Sequence, residues 1–376
     1  MHNKTTIMKA IISGGGTGGH IFPAIAIANA LKVRYPDAEI TFVGAQGRME
    51  MEKVPAAGYS IVGLPIAGLQ RRLTLKNFAV PFKMLHSQLL VRKVIKRIKP
   101  DIVIGVGGYA SAPTLRTASR MGYTTMLQEQ NSYPGLTNKM LSHSAAKICV
   151  AYEGLERFFP PEKLVLTGNP VRAEIENNQC SREQGLAHFD LTPTLQTVLL
   201  VGGSLGARSM NTMIEENLEF FRQHNVQLIW QTGKQMYEEA RQLVSTAGLE
   251  HLVKVHQFVT RMDMAYAAAD IVISRAGALA ISELCLVGKP CLLIPSPNVT
   301  EDHQTKNAMA LANKGAAFVV RDDSVAKNGI SMLQQLLSDT SMQEAAGKAI
   351  RQMGFPHAAD RIVDEIESLI SNKKHQ

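Results

Sequence analysis

The chain is an α/β protein by three observations on its sequence. Apolar strand-like runs alternate with helix-like stretches from end to end, the pattern of parallel sheets covered by helices. An apolar run that opens into a glycine-rich turn and then a helix occurs twice, as "AIISGGGTGGH" and "VLLVGGSLGAR", and Gly14 and Gly202 stand 188 residues apart, half of the 376. That length is natural for two domains, each able to bury a core of its own. Together these predict two Rossmann-like domains facing one another.

The first half supplies strand candidates at Lys9–Ser13, Glu39–Val43, Ile102–Val106, Thr124–Gln128, Lys147–Ala151 and Lys163–Leu166. After "LTGNPVR" the pattern restarts, with Thr197–Val201, Gln227–Gln231, Val253–Phe258, Ile271–Ser274, Cys291–Ile294 and Ala317–Val320. Asn169-Pro170 is a turn signal, so the domains are expected over residues 1–168 and 169–355. An amphipathic last helix, 356–372 ("ADRIVDEIESLI"), is expected to return to the first domain. No Cys-x-x-Cys pair occurs among Cys149, Cys180, Cys285 and Cys291, and most lie in or beside apolar runs, so buried reduced thiols in a reducing compartment are expected. The N-terminus has too short an apolar core for a signal peptide. The longest uncharged stretch, Val54–Gln70, holds two prolines and three glycines and makes a poor spanning helix. A cytosolic chain without a transmembrane segment is the expectation.

Gly14-x-Gly16-x-x-Gly19 matches the dinucleotide pattern, which also asks for an acidic residue at the end of the next strand to hold a ribose. That strand ends "TFVGAQG", with Gly44 in the critical place and Glu50 and Glu52 already in the following helical stretch. A nicotinamide or flavin enzyme is therefore disfavoured. In the second half, "SRAGALAISELCLVGKP" places small residues between a strand and a helix that begins near Leu279. Backbone N–H groups at such a helix start bind phosphate oxygens, and Glu283, about one turn on, is placed to accept hydrogen bonds from a ribose diol.

"GGGTGGH" (14–20), "GGYASAP" (107–113), "EQNSYPGLTNK" (129–139), "TGNPVR" (167–172), "GGSLGAR" (202–208), "SRAGALAISE" (274–283) and "HQTKNA" (303–308), in order over nearly the whole chain, resemble the MurG family of N-acetylglucosaminyltransferases of peptidoglycan synthesis. The resemblance implies the GT-B architecture, UDP-N-acetylglucosamine as donor, and lipid I (undecaprenyl-pyrophosphoryl-N-acetylmuramoyl-pentapeptide) as acceptor. Lipid II with an inverted, β-1,4 linkage would be the product. It implies that Ser204 and the turn Ala278–Leu279–Ala280–Ile281–Ser282 hold the diphosphate and sugar nucleotide, with Glu283 on the ribose. Val259 would offer its backbone to the uracil, Gln304 would meet the sugar, and Arg172 the charge developing on UDP. Thr17, Gly18, Gly19 and Asn131 would reach the N-acetylglucosamine from the first half. No Asp-x-Asp occurs, so no metal is expected, nor any cofactor; a helix N-terminus and an arginine supply the electrostatic stabilisation instead. The acceptor's 4-hydroxyl needs a base. His20 is the first candidate, because an imidazole titrates near neutrality, and Glu129 the second, although it equally suits orienting Asn131. Tyr109 is expected to shape the acceptor pocket.

The net charge of +8 is unevenly spread. Lys53–Pro100 contains no Asp or Glu and ten Lys or Arg, so the rest of the chain is slightly acidic. Leu75, Phe78, Phe82, Leu85 and Leu89 recur at helical spacing among Arg72, Lys76 and Lys83, with Pro81 expected to bend or divide the helix. This reads as contact with an anionic membrane surface, against the alternative that the stripe is core; with so few aromatics, nucleic acid is not an expected partner. The expected location is peripheral, on the cytoplasmic side of the bacterial inner membrane. Two other readings stay open: a UDP-N-acetylglucosamine isomerase of the same fold, and a non-catalytic nucleotide-sugar or nucleic-acid binder.

Overall fold

The computed structural model describes residues 7–66, 80–203 and 206–374. The chain divides into one unit of residues 1–171 and 357–376 and a second of residues 172–356.

The first unit holds a seven-stranded parallel sheet: β1 (Lys9–Ser13), β2 (Glu39–Ala45), β3 (Ser60–Leu64), β4 (Ile102–Gly105), β5 (Thr125–Glu129), β6 (Lys147–Val150) and β7 (Leu164–Leu166), in the order β3-β2-β1-β4-β5-β6-β7. Its central strands are almost wholly apolar because helices cover both faces. Registers such as Ile12 beside Phe42 on one side and Ile104 on the other fix the sheet around β1. The second unit holds β8 (Thr197–Val201), β9 (Gln227–Gln231), β10 (Val253–His256), β11 (Ile271–Ser274), β12 (Cys291–Leu293) and β13 (Phe318–Val319) as a six-stranded sheet, β10-β9-β8-β11-β12-β13. In each sheet the order reverses beside the first strand. The carboxyl ends of β1 and β4, and of β8 and β11, are thus the places where a doubly wound sheet binds ligands.

β3 has no counterpart among the sequence expectations. Its "SIVGL" lies inside the uncharged stretch 54–70, and as an edge strand interrupted by Gly63 it lacks the unbroken apolar run of its neighbours. The helix Val80–Ile98 carries Pro81 as its second described residue; the part of the expected helix that precedes Val80 lies outside the described residues.

The helix Ala358–Lys374 belongs to the first unit's core, where Ile362, Val363 and Ile366 are fully buried beside Ala10, Ile12, Ile27 and Leu31. Arg34 pairs with Asp364, Lys147 with Glu365, and the Tyr35 hydroxyl donates to Glu367 at 2.8 Å. Cys149, Cys285 and Cys291 are buried, and burial pushes the Cys149 and Cys285 thiols up to about 12, so neither is a nucleophile. No described helix is long and apolar enough to cross a membrane.

Candidate active site

In the first unit the glycine loop leaves β1 and is held from beneath by Glu50, a side chain with no solvent exposure. Its two carboxylate oxygens accept from the Gly16 N–H at 2.9 Å and the Ala45 N–H at 3.0 Å. A Cβ on Gly15 would stand 2.2 Å from that carboxylate, and one on Gly44 2.6 Å from its Cγ. Glycine at these two places therefore makes room for an internal carboxyl group, and the protein's own side chain takes the Gly16 N–H of the loop. The loop after β4 locks onto it, since a Cβ on Gly108 would come within 2.3 Å of the Gly15 carbonyl oxygen.

Thr17 is the N-cap of the helix Gly18–Arg34, so Gly18 and Gly19 present first-turn N–H groups and His20 is its third residue. The imidazole packs on Gly107, where a Cβ would meet its Cε1 at 2.9 Å. Its Nδ1 lies 2.9 Å from Oε1 of Gln130. The Gln130 amide nitrogen donates to the Val106 carbonyl at 2.9 Å and the Gln128 carbonyl at 3.1 Å. Asn169 closes the arrangement, donating to the Gln130 carbonyl and accepting from the Gln128 side chain, each at 2.9 Å.

Glu129 sits next to this array but is committed elsewhere. One oxygen accepts from the Asn131 backbone and side chain at 3.0 and 3.1 Å; the other accepts from Gly135 N–H at 3.1 Å and Asn138 Nδ2 at 2.9 Å. Four donors converge on this buried carboxylate, which ties down the 130–135 loop. Tyr109 is half exposed.

Exposed apolar groups occupy neighbouring elements of the same unit. Phe82, Leu85 and Leu89 are 76%, 57% and 55% exposed, whereas Val91, Val94 and Ile95 of the same helix are buried. The stripe at these three positions is surface, not core. The helix Ser111–Arg120 packs against both Val80–Ile98 and the short helix Leu136–Leu141, and the latter adds exposed Leu136 and Met140. Lys83, Arg92, Lys93, Lys96 and Arg97 are all exposed. Arg72, Leu75, Lys76 and Phe78 lie outside the described residues, as does Ser204.

In the second unit the helix Ala278–Val287 starts soon after β11, with Gly277 as its N-cap and, among the described residues, no side-chain cap. Ala278 and Ile281 are buried, Leu279, Ala280 and Ser282 partly so, and the Ser282 hydroxyl donates back to the Ala278 carbonyl at 3.0 Å. Glu283 and Arg172, 111 residues apart, form a two-pronged ion pair, Nε to Oε1 at 2.8 Å and Nη2 to Oε2 at 2.9 Å. The Tyr266 hydroxyl donates to the same carboxylate at 3.2 Å. Burial lowers the Arg172 guanidinium and the carboxylate beside it more than offsets this, so its affinity for a proton lies above the ordinary arginine value. Sequence reading gave these two residues separate tasks; the fold joins them.

Two further groups escaped sequence reading. Gln231, the last residue of β9, accepts from Val259 N–H at 2.9 Å and donates to the Gly203 carbonyl at 3.1 Å. The Val259 N–H is thus engaged, and what it can offer a uracil is its carbonyl. Arg275, after β11, donates to the Ile294 carbonyl and the Ser209 hydroxyl at 3.1 Å each and pairs with Asp322, tying three loops together. Gln304 accepts from Ser296 N–H at 2.8 Å through its carbonyl oxygen, which leaves its amide hydrogens for a sugar. A polar side chain ending a strand beside a glycine turn was the only sequence signal for Gln231 and Arg275.

Two parallel-sheet units with sites at their switch points define the GT-B class of sugar-nucleotide enzymes. The glycosyltransferase family 28 N-terminal domain matches residues 10–150 and its C-terminal domain residues 197–362. The UDP-N-acetylglucosamine--N-acetylmuramyl-(pentapeptide) pyrophosphoryl-undecaprenol N-acetylglucosamine transferase of Parabacteroides distasonis is 53% identical over 366 residues, covering 97% of this chain and 99% of that one. The crystal structure of Acinetobacter baumannii MurG superimposes with a TM-score of 0.79 at 28% identity, covering 96% of this chain and 99% of that one. The chain belongs to glycosyltransferase family 28, within its MurG family. A putative UDP-N-acetylglucosamine 2-epimerase from Listeria monocytogenes shares the fold alone, with a TM-score of 0.67 at 15% identity and coverage of 97% of each chain.

Proposed function

We infer that the chain moves N-acetylglucosamine from UDP-N-acetylglucosamine to the 4-hydroxyl of N-acetylmuramoyl-pentapeptide on undecaprenyl pyrophosphate, converting lipid I to lipid II. The observation that carries this is the 53% identity, sustained over nearly the full length of both chains, to the P. distasonis transferase of that name. The anomeric carbon is attacked from the face opposite UDP, so the configuration inverts. His20 takes the proton of the attacking hydroxyl, since it is the titratable side chain of the first glycine loop and its ring is held in place by Gly107 and Gln130. Thr17, Gly18, Gly19 and Asn131 bind the N-acetylglucosamine.

Unit 2 holds the donor. First-turn N–H groups at Ala278, Leu279 and Ala280 face the diphosphate, where the helix dipole favours negative charge. Glu283 receives the ribose diol on lone pairs that Arg172 does not use, and Arg172 answers the charge growing on the leaving UDP. Ser204 completes the glycine loop; Gln304 donates to the sugar.

The exposed Phe82, Leu85 and Leu89 beside Lys83, Arg92 and Lys93 support a peripheral contact with an anionic membrane surface on the cytoplasmic side. The deciding experiment incubates the protein with UDP-N-acetylglucosamine, with and without lipid I. Release of UDP and appearance of a disaccharide lipid only when lipid I is present is the expected result. Conversion of the sugar nucleotide without acceptor would assign the isomerase reading instead.

A further inference from the structure

We propose that Gln130 is a positioning residue that fixes His20 as the Nδ1–H tautomer, so that Nε2 is the atom that accepts the proton. The inference rests on the reading of His20 as base, and it adds which nitrogen acts and what selects it.

A primary amide has one acceptor oxygen and one donor nitrogen, and the two differ only in what surrounds them. Around Gln130 the nitrogen end faces the Val106 and Gln128 backbone carbonyls at 2.9 and 3.1 Å, two groups that only accept. The amide therefore points its nitrogen there, and turning it over would set its oxygen against two others. Its oxygen is left 2.9 Å from Nδ1 of His20 and needs a donor. Nδ1 must carry the hydrogen. In a neutral ring the lone pair then resides on Nε2, the opposite of the tautomer that a free histidine side chain prefers.

Three features keep Gln130 in that orientation. It is 1% exposed, so water does not compete for its ends. Its carbonyl accepts from Asn169 Nδ2 at 2.9 Å, which fixes the backbone that carries it. Val106 belongs to the strand-end turn whose Gly107 receives the imidazole, so one turn supplies both the platform under the ring and the carbonyl that orients its partner. The partner is neutral where many catalytic histidines have a carboxylate. Glu129, next in sequence, spends its charge on Asn131, Gly135 and Asn138 instead, leaving an uncharged acceptor to select the tautomer without drawing a proton onto the ring.

The test is nitrogen NMR on protein labelled with 15N in its histidine rings, with the His20→Gln variant used to identify the His20 signals. Wild-type protein is expected to show protonated Nδ1 and unprotonated Nε2 in the neutral ring. In Gln130→Met, which keeps bulk but offers no acceptor oxygen, the Nδ1–H form should lose its dominance. Turnover in that variant should fall by between about tenfold and 10⁴-fold, the range seen when the partner of a catalytic or ligating histidine is removed. Affinity for UDP-N-acetylglucosamine, read by calorimetry, should not change. A wild-type spectrum with hydrogen on Nε2 overturns the proposal, as does an unaltered tautomer in Gln130→Met. Turnover that stays normal while the tautomer scrambles overturns the positioning role. The spectrum reports whether or not His20 is the base, a separate question that the His20→Ala variant answers.

Discussion

The loop after β1 and the turn after β11 are built on one plan and used in opposite ways. Both follow a central parallel strand, and both open a helix whose first N–H groups attract an anion. In the first unit the glycine loop is held from within, by the Glu50 side chain on Gly16 and Ala45. Glu50 does not reach the first turn of Gly18–Arg34, and among the described residues neither that helix nor Ala278–Val287 has a side-chain cap. A glycine pattern thus reports that a backbone leaves room for close approach, and not which group approaches. The loop held from within by Glu50 leads into the helix that carries His20, whereas the turn after β11 leads straight into a helix start left to its backbone.

The largest break in this comparison is expected in the first unit. His20→Ala should lower turnover by roughly 10²- to 10⁴-fold with donor affinity unchanged by calorimetry, and normal turnover would hand the proton to Glu129 or to solvent. On the other side, Glu283→Ala should weaken donor binding by up to about 3 kcal/mol, the scale of hydrogen bonds to a charged group, and it also strands the Arg172 guanidinium. Glu283→Gln, which keeps shape and part of the bonding, should fall between; equal donor affinity in all three proteins would take Glu283 out of the site.

Glu50→Gln sharpens the contrast. Its new amide hydrogens must face the Gly16 or Ala45 N–H, at a cost of roughly 1–3 kcal/mol in urea denaturation, with turnover lowered and donor affinity intact. Parental stability and rate would mean that the carboxylate does not hold the loop. The smallest effect on turnover is expected from the basic stretch 53–100. Reversing Arg72, Lys76 and Lys83 to Glu should cost about 1 kcal/mol per residue in co-sedimentation with anionic vesicles, while turnover on a short-chain soluble acceptor survives. Wild-type sedimentation at low salt would end the membrane reading of that face.

What the sequence made legible follows from how local each signal is. Lys9–Ser13, Thr197–Val201, Gln227–Gln231 and Ile271–Ser274 match their expected bounds residue for residue, because a strand buried on both faces is an unbroken apolar run. β3 lacks this signal because a short edge strand broken by Gly63 carries no such run. At the site, the glycines and His20 stand in one motif. Glu50 was set aside as too far along the chain to hold a ribose, and only the turn-back of its helix brings it beneath Gly16, 34 residues earlier. Arg172 and Glu283 meet across 111 residues, a pairing that neither flanking sequence encodes. Gln130 was hidden between Glu129 and Asn131, two residues with more conspicuous chemistry.

The place of the helix Ala358–Lys374 bears on the order in which the two units can be completed. Its Ile362, Val363 and Ile366 complete a core begun at Met8, so the first unit is finished last, after residues 172–356 have already been synthesised as one unbroken segment. At roughly 5–20 residues per second, the amino-terminal sheet waits many seconds for the strip that covers it. During that interval the apolar face around Ala24, Ile27 and Leu31 is open, a target for chaperones on a nascent chain. A chain ended before residue 358 would thus hold the whole of residues 172–356 while the unit bearing His20 stayed uncovered.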